Sequence, residues 1–322
     1  MPVRNAMPWL PEAIESLLAQ TLSAFEILVV AGASHDGSTQ YLHRVRDPRV
    51  RIVRQRNAGL TAALNQLLEE ARTPWLARMD ADDVSYPARI EMLSQAAAAH
   101  PEAGLIYSLA DYHPRELCAG RFRCSRGSAE ELRSVVNGGY LLSFCHSTVL
   151  LNIEKVRSIG GYRAGIRAED ADLWWRMAQK FDIHYIPEVL VGFRQHAESL
   201  SAEDTCQQEL AGLYVQYLLL SELWGLTPHP YAEVEPSLAE LLRPSAVRAK
   251  ERLRQFNMHL AQRQVLRGLG ALAQAVCASP GYVLRRTLDE FRGKFRDEFG
   301  GGAIANGVSP HLFWERKDVL WS

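Results

Sequence analysis

The stretch Trp75-Leu76-Ala77-Arg78-Met79-Asp80-Ala81-Asp82-Asp83 constrains this chain more than any other. An apolar run that stops at three closely spaced carboxylates reads as a buried strand ending at a solvent-facing edge, where ligands of open α/β sheets bind. Asp80 and Asp82 lie two apart, so in an extended segment they project to one side and present oxygens to a hard divalent cation such as Mg2+ or Mn2+. With so few protein carboxylates, such an ion completes its shell with water and phosphate oxygens, which points to a phosphorylated ligand. Turn and cap chemistry accounts for the same residues, because Asp accepts backbone N–H bonds and Pro87 suits a helix start. The rest of the chain has to decide.

Its 322 residues, 47% hydrophobic and 23% charged, hold enough apolar material for one large or two smaller cores. Lys plus Arg number 36 against 37 Asp plus Glu, and a net charge of -1 gives no electrostatic reason to expect nucleic acid. The five cysteines (118, 124, 145, 206 and 277) form no Cys-x-x-Cys pair, which fits a reduced cytoplasmic setting and not a zinc site. No run approaches the roughly 18 to 20 apolar residues that span a bilayer. The protein is expected in the cytoplasm.

Along the chain, Met1-Pro2-Val3-Arg4-Asn5 reads as too short for a strand, and Leu10, Ile14, Leu17 and Leu18 then share one helical face. Glu26 to Val30 is a buried strand, followed by the small-residue loop Ala31 to Thr39, which can bring backbone amides near a phosphate or a base. A strand over 50–53, a helix opened by Asn57-Ala58-Gly59-Leu60, the carboxylate strand, a helix near 88–100 and a strand over 104–107 complete an α/β alternation. Such alternation builds a mostly parallel, Rossmann-like sheet flanked by helices. Beyond residue 110 the spacing predicts a loop or hairpin through Arg126, a strand from Phe144 to Leu151, and a helix opened by Glu169-Asp170-Ala171-Asp172, whose acids also complement a helix dipole. Two short strands, 183–186 and 189–193, lead to His196, by itself an ordinary surface or core residue. From 203 onward the pattern is helical, over 236–256, 258–277 and 280–296 among others, punctuated by prolines.

Six motifs occur in one order: Pro2-Val3-Arg4-Asn5, Ser16-Leu17-Leu18-Ala19-Gln20-Thr21, Asn57-Ala58-Gly59-Leu60, Arg78 through Asp83, Glu169 through Trp174, and Phe193 through Ser201. Together they resemble the inverting, nucleotide-sugar-dependent glycosyltransferases of family 2, which have the GT-A fold, over roughly residues 1–201. The resemblance implies a catalytic domain over 1–202, a helical C-terminal region over 203–322, and transfer of a sugar from a nucleoside diphosphate to a hydroxyl acceptor of a surface polysaccharide, lipopolysaccharide or glycan. It implies that Asp82, with Asp80, holds a divalent metal on the diphosphate, with His196 as a further ligand. Asp170 would be the general base, with Glu169 its close competitor. Pro2, Val3, Asn5, Asp36, Asn57, Gly59, Arg78 and Asp80 fall at donor-binding positions; Arg4 and Arg194 are weaker candidates for phosphate or sugar. A base and a metal on opposite sides of the anomeric carbon fit a single displacement with inversion.

Two departures stand out. The family's second strand ends in Val-Asp-Asp-Gly-Ser, whose acids contact the base and its surroundings; here Ala31 and Gly32 take those places and only Asp36 of the loop's acids remains. An unreplaced hydrogen bond to the base would cost about 1–3 kcal/mol. Family members also carry an apolar central strand before Pro-Val-x-Asn, and the expectation is a start lying upstream of Met1, since a missing strand leaves unpaired backbone and a groove in the core. A catalytically silent nucleotide-sugar-binding or scaffold protein is the rival reading, and the set Asp80, Asp82, Asp170 and His196 argues against it. A metal-dependent phosphohydrolase would need an early strand ending in a nucleophilic Asp-x-Asp, which is missing. The stretch Tyr282 to Arg296 joins aromatics to five basic residues; it reads either as an interfacial helix contacting anionic lipid at the inner face of the membrane or as a solvated face packed on the catalytic domain.

Overall fold

The computed structural model describes residues 1–118, 121–196, 205–288 and 305–321. The chain forms two compact units, one built from 1–111, 144–165 and 180–194, the other from 112–143, 166–179 and 195–322.

In the first unit, β1 (Pro2–Val3), β2 (Ile27–Ala31) and β3 (Val50–Arg54) pair in parallel in the order β1-β2-β3. The opening segment does form a strand, contrary to its short reading. Val30 N donates to Met1 O and Gly32 N to Val3 O, so flanking residues extend a two-residue ladder, and Val3 is buried. A second sheet holds β4 (Trp75–Ala77), β5 (Val84–Ser85), β6 (Ala103–His113), β7 (Val149–Asn152) and β8 (Asp182–Arg194) in the order β4-β7-β6-β8-β5. Here β4 with β7, β6 with β7 and β5 with β8 run antiparallel. The α/β class holds, with the parallel pairs in the first sheet. Between β2 and β4 lies a cavity of ≈ 270 Å³, lined by Leu17, Phe25, Leu28, Trp75 and Leu93 among others.

Helices cover both sheets because their apolar residues recur at helical spacing. Leu10, Ala13, Ile14 and Leu17 of α1 (Leu10–Leu18) are buried with Val3, Ile27, Val29, Met79 and Ala81. Following α2 (Ser38–Leu42) and α3 (Leu60–Glu70), Leu93 and Ala97 of α4 (Arg89–Ala99) pack with Ile106, Leu150, Ile186 and Leu190. Each Leu or Ile so buried contributes about 1.5–3 kcal/mol against exposure. Gln20 fastens α1 to the segment after the carboxylates: its Nε2 donates to Ser16 O and Tyr86 O at 2.9 Å, and its Oε1 accepts from Ile90 N at 2.9 Å. Thr21 continues the join, its N donating to Pro87 O.

Two local readings change. The strand expected from Phe144 begins only at Val149, because His146–Thr148 form a 3-10 turn in which Thr148 Oγ1 donates to Cys145 O. The two short strands after residue 182 are one, β8, running through Pro187. Its ladder with β5 pairs Val191 and Gly192 and continues to Leu190 O, which accepts from Tyr86 N, so on that side the missing N–H of Pro187 costs no bond.

The second unit contains α5 (Ala129–Asn137), opened by a Ser128–Glu131 capping box, and most of α7 (Glu169–Lys180); the short α6 (Ile153–Ser158) precedes it in the first unit. Then come α8 (Thr205–Trp224), α9 (Tyr231–Ala239), α10 (Pro244–Ala261), α11 (Val265–Ala278) and a helical run over 280–288. Pro244 sits in the first turn of α10, where it costs no helical hydrogen bond. Buried Gln216 of α8 ties the end of the chain down, donating to Gly139 O and Val308 O and accepting from Val308 N. Phe313 and Leu320 are fully buried, and Trp321 lies 4.6 Å from the Tyr217 ring. The expected stretches 197–201 and 289–296 lie outside the described residues.

His100 at the end of α4 stacks on His184 of β8 with ring centroids 3.7 Å apart. Burial, with the charge of His100 adding, holds the His184 pKa below its ordinary 6.5. The unfolded chain therefore binds more protons there, so this contribution is complete above about pH 6.5 and is lost as pH falls further. Thermal denaturation between about pH 7 and pH 5 should show a smaller fall in Tm for His184→Phe, which keeps a stacking ring, than for the parent protein. Equal slopes would remove the pair from the acid response.

Candidate active site

β4 ends at Ala77, and the next residues alternate. Met79 and Ala81 turn inward against α1, while Asp80 and Asp82 are half-buried. A turn at Ala81 and Asp82 keeps the two carboxylates on the outer side, and Asp83 joins them from the buried side. One oxygen from each of Asp80, Asp82 and Asp83 can be chosen so that all three lie within 4.8 Å of one another. Capping does not explain the cluster, because α4 starts at Arg89 behind Ala88, which makes no side-chain cap bond.

Asp83 is buried. Ser147 Oγ donates to its Oδ2 at 2.5 Å and Arg194 N donates to its Oδ1 at 2.9 Å. The 3-10 turn supplies this hydroxyl, which also accepts from Asp80 N at 3.0 Å. Burial pushes the Asp83 carboxyl well above the usual carboxylate range, the charges of Asp82 and Asp80 add to the rise, and the two hydrogen bonds oppose it. Arg78, 2% exposed, forms an ion pair with Asp80 and fixes it from below. Fully buried Arg89 donates from Nη2 to Arg78 O at 2.6 Å, and burial lowers its pKa to about 10. Arg194 closes the other side: Nε donates to Asp82 O at 2.9 Å, Nη2 pairs with Glu12, and the guanidinium lies 4.5 Å from the Trp9 ring centroid. Three crowded carboxylates offering hard oxygen donors fit Mg2+ or Mn2+, which would relieve their mutual repulsion.

Beside this cluster, the segment after β1 is stitched to the loop after β2. Asn5, at φ 48°, donates from its N to Ser34 Oγ and accepts from His35 N; Ala6 N donates to Ser38 Oγ. Asp36 accepts from Met7 N at 2.7 Å and from Ser38 N at 3.0 Å. Burial works to raise its pKa, but these bonds prevail and lower it. Pro2 and Val3 meet the same loop through the β1–β2 ladder. At Gly32 a Cβ would sit 2.6 Å from Gln55 Oε1, so Gln55 fills the place of the missing side chain. Gln55 Nε2 donates to Asn57 O at 2.6 Å and Gly59 O at 2.8 Å, which orients the amide with its oxygen toward Gly32. Gly59, at φ 102°, precedes α3 in a conformation that suits glycine.

The remaining expected residues belong to the second unit. At the start of α7, Glu169 is buried and Asp170 half-buried, with Asp170 Oδ1 accepting from Ala171 N at 2.7 Å. Asp172 is spoken for by Arg176 one turn on, at 2.7 Å. His196 is half-buried just after β8. Sequence reasoning assigned no role to Ser147, Arg89, Gln55 or Asp83 individually. Asp83 stood inside the quoted motif, whereas Ser147 lay in a stretch with strand-like composition, and Gln55 had no pattern to mark it.

A Rossmann-like sheet whose strand ends in clustered carboxylates, beside a loop stitched to the first strand, defines the GT-A class of glycosyltransferase. The glycosyl transferase family 2 model matches residues 1–117. The amylovoran biosynthesis glycosyltransferase AmsE of Erwinia amylovora is 30% identical over 205 residues, 60% of this chain and 73% of AmsE. EpsE of Bacillus subtilis is 30% identical over 211 residues, 62% of this chain and 73% of EpsE. The Sinorhizobium fredii protein y4gI, 29% identical over 214 residues (63% of this chain), is longer, and the chain spans 23% of it. Among solved structures, the mannosyltransferase PcManGT of Pyrobaculum calidifontis, in complex with GDP-Man and Mn2+, shares the fold at TM-score 0.53 and 17% identity, over 92% of this chain and 85% of its own. The chain belongs to glycosyltransferase family 2.

Ser147→Ala would leave Asp83 with a backbone donor on one oxygen and none from the hydroxyl. The expected cost is about 1–3 kcal/mol, read as a lower urea midpoint at unchanged m-value. An unchanged midpoint would show that the hydroxyl does not hold Asp83.

Proposed function

We propose that this glycosyltransferase moves a sugar from a nucleoside-diphosphate sugar to a hydroxyl acceptor of a surface polysaccharide, lipopolysaccharide or glycan, in the cytoplasm, with inversion and metal assistance. Residues 1–202 serve as the catalytic domain and 203–322 as a helical region. The observation that carries the reading is the group Asp80, Asp82 and Asp83 held between Arg78 and Arg194. AmsE, named for amylovoran biosynthesis, and PcManGT with GDP-Man and Mn2+ support the acceptor and donor classes.

A divalent cation held by Asp82 and Asp80, with His196 as a further ligand, would supply positive charge for the departing diphosphate. Arg78 orients Asp80 for that task, and Ser147 positions Asp83 behind it. Pro2, Val3, Asn5, Asp36, Asn57 and Gly59 shape the donor side, where the Gln55 amide oxygen replaces the acidic acceptor that Gly32 lacks. Asp170 takes the proton from the acceptor hydroxyl as it attacks the anomeric carbon; its greater exposure favours it over buried Glu169. Attack from the side opposite the diphosphate inverts the configuration.

Two measurements separate donor binding from chemistry. In calorimetric titration with UDP, GDP, CDP and dTDP, one nucleotide should bind with Mn2+ and release with chelator, and Asp82→Ala should weaken that binding at least about tenfold. Normal metal-dependent binding by the variant would sink the metal assignment, and no binding by the parent would favour the silent scaffold. Asp170→Asn should keep donor affinity while transfer falls by about 10²–10⁴. Undiminished turnover would return the base role to Glu169.

A further inference from the structure

α11 has two faces with opposite demands. Gly268, Ala271 and Ala275 turn toward α10, and a Cβ at Gly268 would lie 3.4 Å from Leu260, so small residues bring the two helices close. The outer face is apolar as well. Leu266 is 85% exposed, Leu269 53% and Val276 43%, and the run over 280–288 adds Leu284 at 61% and Leu288 at 44%. Large aliphatic side chains at this exposure, repeated at helical spacing over neighbouring helical segments, form a patch and not isolated surface residues. Within α11 only Arg267 and Gln274 are polar.

Charge says what would cover this patch. Residues 262–288 contain Arg263, Arg267, Arg285 and Arg286 and no Asp or Glu, and the acids Asp289 and Glu290 follow them in sequence, in a chain whose net charge is -1. A face that couples exposed Leu to an excess of Arg is complementary to a surface that is apolar within and anionic at its edge. A second copy of the same face would bring like charges together. With 14 residues α11 is too short to cross a bilayer, which takes about 20, and no described helix is long and apolar enough to do so. We propose that α11 and the helical run 280–288 form an interfacial platform that lies along an anionic lipid surface, inserting Leu266, Leu269 and Leu284 among the acyl chains while Arg267 and Arg285 meet the headgroups. The proposal stands apart from the catalytic assignments above, since it uses none of their residues.

The test is co-sedimentation of the purified full chain with phosphatidylcholine vesicles, with and without phosphatidylglycerol, beside light scattering on the protein alone. The parent should pellet with the anionic vesicles, and less so as salt rises. Leu266→Gln/Leu269→Gln/Leu284→Gln alters exposed positions, should leave circular dichroism unchanged, and should lower partitioning at least about tenfold. Arg267→Gln/Arg285→Gln should bring binding of anionic vesicles down toward the neutral level. Failure of the parent to pellet with anionic vesicles would overturn the proposal, as would equal partitioning by the leucine variant. So would a lipid-free dimer that the leucine variant dissociates, which would assign the face to a second copy.

Discussion

The first unit depends on keeping Asp83 buried beside two other carboxylates. Transferring a carboxylate out of water is costly unless hydrogen bonds and opposite charge compensate it. The groups around it come from different parts of the chain: Ser147 from the 3-10 turn before β7 and Arg194 from the end of β8 donate to Asp83, Arg78 from the segment after β4 pairs with Asp80, and Arg89 from the first turn of α4 donates to Arg78 O and adds its charge nearby. These elements are far apart in sequence, so the electrostatic requirement is also a topological one. The second sheet brings β4, β7 and β8 together, and their ends meet at this point.

That origin explains which parts could be read from the sequence. β2, α1 and α3 follow from local periodicity, and Asp80 and Asp82 do share the outer side, with Met79 and Ala81 turned inward, although Ala81 and Asp82 lie in a turn and not in the extended segment expected. Adjacent Asp82 and Asp83 differ in burial because Asp83 falls on the inward side with Met79, Ala81 and Ser85, a side on which a carboxylate is not expected without the partners that other elements bring. Ser147 was hidden among residues with strand composition, since the bond that bends them, from Thr148 to Cys145, is a local hydroxyl contact. The continuity of β8 was hidden for a related reason. Proline reads as a break, yet whether it breaks anything depends on which neighbour reaches it, and β5 stops short of it. The role of Gln55 needs the β2–β3 register, which sets Ala31 opposite Arg54 and so brings Gln55 beside Gly32.

The second unit follows different rules. It is held by aromatic and amide contacts, such as Gln216 on Val308 and Tyr217 against Trp321, which pin the chain end to α8, with an Arg316–Glu240 ion pair beside them. The helical character of this region was visible in its apolar spacing. The exposure of one apolar face was not, because a helix that is apolar on two sides looks the same whether one side or both are covered.

Arg194 touches Trp9, Glu12, Asp82 and Asp83, and so it fastens the approach to α1, the carboxylate turn and the end of β8 in one place. A ligand that binds the folded carboxylates and not the unfolded chain adds its binding free energy to folding. If the proposed cation and donor bind there, the same fastener couples supply to survival: in a cell short of either, a larger fraction of the protein would open and be removed by proteases. The abundance of the protein would then track the availability of what it binds.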